Sequence, residues 1–386
     1  AANMCIVADD NTCYVGGFSG SSNLPTTSMG GILQGTYGGG TYDGFVVRIN
    51  PTATAIIRCT YIGGTGNDTQ QGLALDSDGY IYTTGWTDNA TFPVTAGAFQ
   101  TNFGGVKDGT LCKLTPDMSA FVYSTFIGGN DDDQMRFMVI DTNGYSYLVG
   151  STKSANYPVT TGAFQTVFGG GTNNDGIITK VDSSGASLTF STFIGGPLAE
   201  NTRCIVLNDN NEVFATGTTS WTDFPITPDA QQTTIAGNTD AFLIKLNSDG
   251  TNLLYSTFFG GLLADGGGVL GYDGEGNVLM TASTVSTDFP ITEGCFQNYF
   301  AGGSYDVTAA KFEIDPDLPS PILLAPPNRT IFITTEPFLE WRSVPVAVSY
   351  DLQVSTVRNF ATTVLDISSI TDTTYQIPEP LNETTK

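Results

Sequence analysis

The stretch YSTFIGG, residues 123–129, returns as FSTFIGG at 190–196 and as YSTFFGG at 255–261, and a looser CTYIGG ends at Gly64. Segments copied at a fixed spacing, here about 65 residues, mark an array of equivalent structural units. Working outward from this stretch, units begin near Ala1, Thr65, Asn130, Pro197 and Leu262. Each opens with an apolar strand that ends in an acidic turn: LALDSDG (73–79), MVIDTNG (138–144), IVLNDNN (205–211) and LGYDGEG (270–276), with a shorter CIVADDN in the first unit. A second strand closes on a small residue at Gly17, Gly85, Gly150, Gly217 and Ala282. After a long loop comes a third piece: DGFVVRI (43–49), DGTLCKL (108–114), DGIITKV (175–181), DAFLIKL (240–246) and DVTAAKF (306–312). YSTFIGG is the fourth piece, and the fifth unit has no copy of it. The segment at that place, PDLPSPILL, is interrupted by Pro319 and Pro321, which disfavour a central strand.

Four short strands per repeat predict an all-β fold, a five-bladed β-propeller over 1–316 with units 1–64, 65–129, 130–196, 197–261 and 262–316. In the fourth piece one position is always small (Cys59, Ser124, Ser191, Ser256), and two residues later it is always aromatic (Tyr61, Phe126, Phe193, Phe258). Small and large side chains on one strand face suit close packing of one sheet on the next. The ordered set YSTFIGG, ALDSDGYIYTTGWT, FPVTAGAFQ and DGTLCKL resembles the SBBP-type β-propeller repeat of exported bacterial and archaeal proteins. The resemblance covers about four-fifths of the chain. It implies a propeller fold and a secreted or surface location, and no defined catalytic residues.

After Pro316 the character changes. Residues 317–386 open on a proline-rich junction, and PFLEWRSVPVAVSYDLQVS and TVLDISSITDTTYQIP then alternate like strands. This part resembles a fibronectin type III or other immunoglobulin-like β-sandwich with Trp341, Tyr350, Leu352 and Val354 as core. Such modules have about seven strands, and the last of them are missing from the pattern.

Composition narrows the function. With 14 basic against 38 acidic residues and a net charge of −24, a nucleic-acid partner is excluded, because phosphate binding needs clustered Lys and Arg. No His is present, which removes Ser-His-Asp triads and His-ligated zinc. No apolar run is long enough to span a bilayer as a helix. The six Cys form no C-x-x-C pair. Cys5 and Cys13 flank one expected hairpin turn and are the best-placed pair for a disulfide, with buried thiols as the alternative.

The candidate sites all lie in the repeats. A carboxylate follows the glycine pair by four residues: Asp68, Asp133, Glu200 and Asp265. Two readings are open: a ring at a channel mouth that attracts a cation such as Ca²⁺, or acceptors for N–H groups of each unit's own turn. The DSDG turns lack the further ligands of a calcium loop and read as hairpin turns. The third strand carries Asp43, Asp108, Asp175, Asp240 and Asp306, and five residues later Arg48, Lys113, Lys180, Lys245 and Lys311, which predicts ion pairs between strands or turns. Loops such as FPVTAGAFQ are expected to be pinned by their aromatic–Pro step and by Gln. Trp86 and Trp221 break the repeat and either stack on a sugar ring or pack against their loop. Asn67, Asn89, Asn328 and Asn382 are N-x-[ST] sequons.

Because the acids repeat where a glycosidase needs unique ones at distinct depths, the expectation is a protein without enzymatic activity and with no required cofactor. It is read as a structural or interaction protein of the cell surface or an extracellular assembly, exported with its signal already removed. Its subunits are expected to associate with themselves or with other surface proteins, and to polymerise into filaments through strands that complete neighbouring units. A lectin-like carbohydrate-binding propeller is the alternative, and a glycoside hydrolase ranks below it.

Overall fold

The computed structural model describes residues 1–26, 31–274, 276–314, 323–325, 338–341, 350–355 and 363–376. Two compact units divide the chain, one of Ala1–Tyr272 with Val278–Phe312 and one of Asp273–Asn277 with Glu313–Lys386. Among the described residues there is no helix.

The larger unit is a series of antiparallel sheets, each built from one sequence repeat. Sheet one runs β1 (Ala2–Val7), β2 (Cys13–Ser19), β3 (Asp43–Ile49) and β4 (Ile56–Ile62). Sheet two runs β5 (Asp68–Leu75), β6 (Ile81–Thr87), β7 (Asp108–Leu114) and β8 (Phe121–Ile127). Sheet three holds β9 (Asp133–Ile140), β10 (Ser146–Thr152), β11 (Asp175–Val181) and β12 (Leu188–Ile194), and sheet four holds β13 (Glu200–Leu207), β14 (Val213–Thr219), β15 (Asp240–Leu246) and β16 (Leu253–Phe259). Sheet five has three described strands, β17 (Asp265–Tyr272), β18 (Asn277–Thr284) and β19 (Asp306–Glu313). Within each sheet the strands pair in sequence order, as hairpins and a long loop require.

Hairpin turns follow the local chemistry. The DSDG turn places Gly79 at φ +82°, and Gly144 in DTNG lies at +79°, a left-handed backbone that favours glycine. Asp76 Oδ1 closes its own turn by accepting from the N–H of Asp78 and Tyr80 at 3.1 and 2.8 Å.

The first strand of each sheet lies against the first strand of the next, and packing runs from sheet one to two, two to three, three to four and four to five. The fourth strands show no comparable mutual contact, so the sheets fan out from their first strands in a propeller-like arrangement. Apolar clusters fill the gaps. Tyr82, Leu111 and Tyr123 of sheet two meet Met135, Leu148 and Ile177 of sheet three. Tyr147, Val149 and Ile178 of sheet three meet Ile205, Val213 and Phe242 of sheet four or its neighbours. The small and aromatic positions of the fourth strands, Ser124 and Phe126 for example, are fully buried.

At both ends of the series, apolar side chains that are covered in the middle sheets are exposed. Leu279 of β18 is 48% exposed, whereas Phe214, Tyr147 and Tyr82 at the same place in sheets four, three and two are buried under the following sheet. Val307 of β19 is 82% exposed, and Phe296 in the fifth loop is fully exposed. In unit two the equivalent Phe99 donates its N–H to the carbonyl of Gly185 in the following unit at 2.8 Å. No described strand pairs with the outer edge of β19. At the other end Val7 and Cys5 of β1 are exposed where their counterparts in sheet two, Leu75 and Leu73, are half-buried and buried.

The smaller unit holds five further described strands in two sheets: β20 (Leu323–Ala325), β21 (Phe338–Trp341) and β24 (Thr374–Gln376), and β22 (Tyr350–Ser355) with β23 (Thr363–Ile370). Leu339, Trp341 and Ile370 form its core, with Tyr350 set edge-on to Trp341 at 5.5 Å between centroids. The expected core position Val354 lies outside the described side chains; most of the proline-rich segment and the residues after Gln376 fall outside the described residues, and the expected lack of the last strands falls there.

Candidate functional site

The glycine pair that ends the fourth strand sits between two carboxyl groups, and this repeats four times. Each first-strand acid is the opening residue of its strand and is wholly buried, as is each third-strand Asp of the preceding sheet. They pair as Asp43 with Asp68, Asp108 with Asp133, Asp175 with Glu200 and Asp240 with Asp265. At Gly63, Gly128, Gly195 and Gly260 a Cβ would meet both carboxyl groups within 3.0 Å. Hence only glycine fits there, and the two acids of each junction lie across it from one another.

Backbone N–H groups hold these acids in place. The second glycine of each pair donates to the first-strand acid: Gly64 to Asp68 at 2.8 Å, Gly129 to Asp133 at 2.6 Å, Gly196 to Glu200 at 2.9 Å and Gly261 to Asp265 at 2.6 Å. The third-strand acids accept from loop N–H groups of Gly38, Gly104, Gly169 and Ala236. The loop glutamine joins the halves, since Gln100 accepts from the Gly128 N–H at 3.1 Å and donates to Asp108 at 3.1 Å, and Gln232 does the same at Gly260 and Asp240. Hydroxyls and an amide complete the set, Ser154 donating to Asp133 at 2.8 Å, Thr219 to Glu200 at 3.0 Å and Asn89 to Asp68 at 3.2 Å.

One oxygen per junction is left over. Oδ1 of Asp43, Asp108, Asp175 and Asp265 is buried without a hydrogen-bond donor. Burial raises the carboxyl pKa to about 6 at Asp68, Asp108 and Asp175 and to about 7 at Asp133 and Glu200. The charge of the partner acid adds to the rise at Asp68, Asp133 and Glu200. Asp43 and Asp240 are raised by burial as well. A pair of this kind can hold one proton or a cation, and the surrounding donors are N–H and O–H groups.

No ion pair found among the described residues reaches these acids. The cations at the far end of the third strands turn to the acidic turns instead: Arg48 to Asp10 at 2.7 Å, Lys113 to Asp76 at 3.4 Å and Lys245 to Glu212 at 2.6 Å. Lys113 also lies over the rings of Tyr80 and Tyr82. So the two ends of one strand do different work, although the sequence spaces them evenly.

The remaining sequence candidates have clear places. Trp86 is half-buried, edge-on to Tyr42 at 6.1 Å and under the Lys107 ammonium at 4.7 Å. Trp221 is half-buried against Phe224 and borders a cleft of about 440 Å³ with Phe164, Gly195, Gly196 and Pro225. Asn67 and Asn89 are hydrogen-bonded to Asp88 and Asp68, and Asn328 and Asn382 lie outside the described residues. Sγ of Cys5 and Sγ of Cys13 are 3.1 Å apart on the open face of sheet one, while Cys59 and Cys112 are buried, with burial raising their thiols to about 11 and about 12. In oxidised protein, peptide mapping without reductant should therefore find Cys5 linked to Cys13 and the buried thiols free. Two free thiols at Cys5 and Cys13 would refute it.

One set of residues carried no sequence signal. Where β1, β5, β9 and β13 pair with the following strand, a bulge leaves Asn3, Gln71, Arg136 and Arg203 unpaired at the same place in successive sheets. Their residue types run Asn, Gln, Arg and Arg, with no residue common to all the units, so the repeat pattern does not reveal them.

The SBBP β-propeller repeat family matches residues 58–93. No curated protein matches the chain. Among solved structures it is similar to a protein of unknown function from Dyadobacter fermentans DSM 18053, at 11% identity over 72% of this chain and 73% of that one, with TM-score 0.43. It is also similar to a polysaccharide lyase of family PL25, an ulvan lyase, at 8% identity over 90% and 78% with TM-score 0.39. A third is Sqt1 from Chaetomium thermophilum, at 12% identity over 72% and 64% with TM-score 0.30. The lyase corrects one expectation: its presence among the similar structures withdraws the reading that enzymatic activity is excluded. At 8% identity it assigns no activity either.

Proposed function

We propose that this β-propeller repeat protein is a structural, interaction-forming component of a cell-surface or extracellular assembly, its five sheets acting as propeller blades and its subunits joining head to tail through the fifth. The observation that carries this reading is the fifth sheet, which has three strands among the described residues where the others have four. In the four complete sheets the third strand is covered by a fourth, and the loop before it binds that fourth strand: Thr227 donates to the Ser256 carbonyl at 3.2 Å and Gln232 to Thr257 at 2.8 Å. In the fifth, β19 and the loop of Phe296 offer the same edge and loop with no described strand between them. An uncovered edge with apolar side chains beside it is a template for a strand from another chain, and a contact that does not close on itself generates filaments.

Light scattering and electron microscopy of the native protein test this. Species larger than one chain, lost on Val307→Glu combined with Leu279→Glu, are expected. A strictly monomeric protein at high concentration would overturn the proposal.

A further inference from the structure

The unpaired bulge residues form a column along the converging first strands. Contact between successive members is direct in the first two sheets, where Asn3 Nδ2 donates to Gln71 Oε1 at 3.2 Å and to the Gln70 carbonyl at 3.0 Å. By the same register, Arg136 of β9 and Arg203 of β13 are the next two members, on adjacent strands. Thus the column changes from two amides that satisfy each other to two cations that repel.

Among the described residues no hydrogen bond or ion pair offsets that repulsion. Arg136 and Arg203 are both solvent-exposed, and neither makes a hydrogen bond or ion pair within the described residues. The acid whose charge acts on Arg136 is Asp132, which is taken up by Lys107 at 3.2 Å and by Gln134 at 2.7 Å. Arg136 is accessible to solvent, yet burial first, and then the charge of Arg203, holds its guanidinium below the ordinary arginine range. In a chain with 14 basic and 38 acidic residues, two unpartnered guanidinium groups side by side are not an average of the surface.

We infer that Arg136 and Arg203 form an anion-binding site on the inner column of the propeller, one that takes a carboxylate- or sulfate-bearing ligand. Guanidinium groups present paired N–H donors whose geometry matches planar and tetrahedral oxyanions, and an anion between them turns their repulsion into attraction. The amide column beside them, Gln71 and Asn3, supplies neutral hydrogen-bonding groups on one side only, which gives the site a direction. This inference does not depend on the assembly reading, since none of its residues lies in the fifth sheet.

The fold itself supplies a conservative test, because glutamine already occupies the equivalent bulge at Gln71. Thermal shift and calorimetry would be run on the wild type, Arg136→Gln, Arg203→Gln and the double variant. Sodium sulfate and sodium glucuronate are the probes, with sodium chloride at matched ionic strength and neutral glucose as controls. Sulfate and glucuronate should stabilise the wild type beyond chloride, and each single variant should bind at least tenfold more weakly. Without any added anion, the single variants should melt at or above the wild-type temperature, because a repulsion has been removed. A response to sulfate but not glucuronate would assign the site to tetrahedral oxyanions, and the reverse to carboxylates; either supports the site. Equal responses in the wild type and the double variant, or none in the wild type, would overturn it. So would a clear loss of stability in both single variants without anion, since that would mean that the arginines serve the fold.

Discussion

Between pH 5 and pH 8 the melting temperature of this protein should fall by about 10 °C, the reverse of the usual behaviour of a protein rich in carboxylates. The four junction pairs cause it. Their acids are raised to about 6 at Asp68, Asp108 and Asp175 and to about 7 at Asp133 and Glu200. A carboxyl whose folded pKa lies above its unfolded value binds its proton more tightly when folded. Its contribution is therefore fully present below the unfolded value near 4, and it is lost as pH rises through 6 to 7. A tenfold difference in proton affinity between the folded and unfolded chain corresponds to about 1.4 kcal/mol, so even part of that difference at each junction sums to several kcal/mol. On the acid side a separate loss sets in, because hydrogen bonds hold Asp10 and Asp117 below the ordinary carboxylate range and Lys245 holds Glu212 there. These contributions are present above that range and vanish as pH falls below about 4.

Replacing Asp108 with Asn separates the junction effect from general charge repulsion. Its free Oδ1 could become an amide donor to Asp133, so Asp108→Asn should lessen the fall in melting temperature and leave stability at pH 8 unchanged or higher. An unchanged profile would remove the junctions as its cause. Calcium added at pH 8 supplies the other arm: if it restores the stability found at pH 5, the pairs take a cation in place of the proton.

How much of this was legible in the sequence depends on whether the partner lies within one repeat. The strands were visible, because YSTFIGG and DGTLCKL recur with their neighbours in fixed order, and among the described residues no strand pairs with the edge of β19, where the fourth copy is missing. Asp43 and Asp68 each stood out as repeated acids, yet their pairing was not visible, since it forms across a junction between units and around a glycine whose role is to leave room. The sequence spaced Lys113 equally well for several acids; only the fold shows it beside Asp76 rather than Asp108. Arg136 and Arg203 gave no signal for the opposite reason. The bulge position repeats in backbone geometry, but its residue is Asn, Gln, Arg and Arg in successive units, so comparing repeats discards it as variation. What also escaped the sequence is the exposure of Leu279 and Val7, because it depends on what packs against them.

Replacing Gly217 with Ala should cost several kcal/mol, on the order of 4 or more, and among single substitutions it should be one of the most damaging. The reason is local and steric. The bulge in β13 brings its backbone against β14, and a Cβ on Gly217 would lie 1.8 Å from the Asn201 carbonyl oxygen, with the ring of Phe242 at 3.0 Å. Neither atom belongs to a flexible side-chain end that could move aside, and Phe242 sits in the core between sheets. Gly85 and Gly150 meet the same obstacle, at 2.0 Å from the carbonyl oxygens of Thr69 and Gln134. The fifth sheet shows what accommodation requires. There Ala282 takes the place of the glycine, and the opposing strand has become Asp265-Gly266-Gly267-Gly268, with Gly267 directly across and the register slipping over a longer stretch before Leu270. Alanine is therefore tolerated only where the facing strand gives up its own side chains and its regular pairing. Denaturant unfolding of Gly217→Ala and of Ala282→Gly checks this: the first should shift the midpoint strongly, and the second should change it little. A mild effect at Gly217 would mean that the bulge relaxes more easily than its close backbone contact implies.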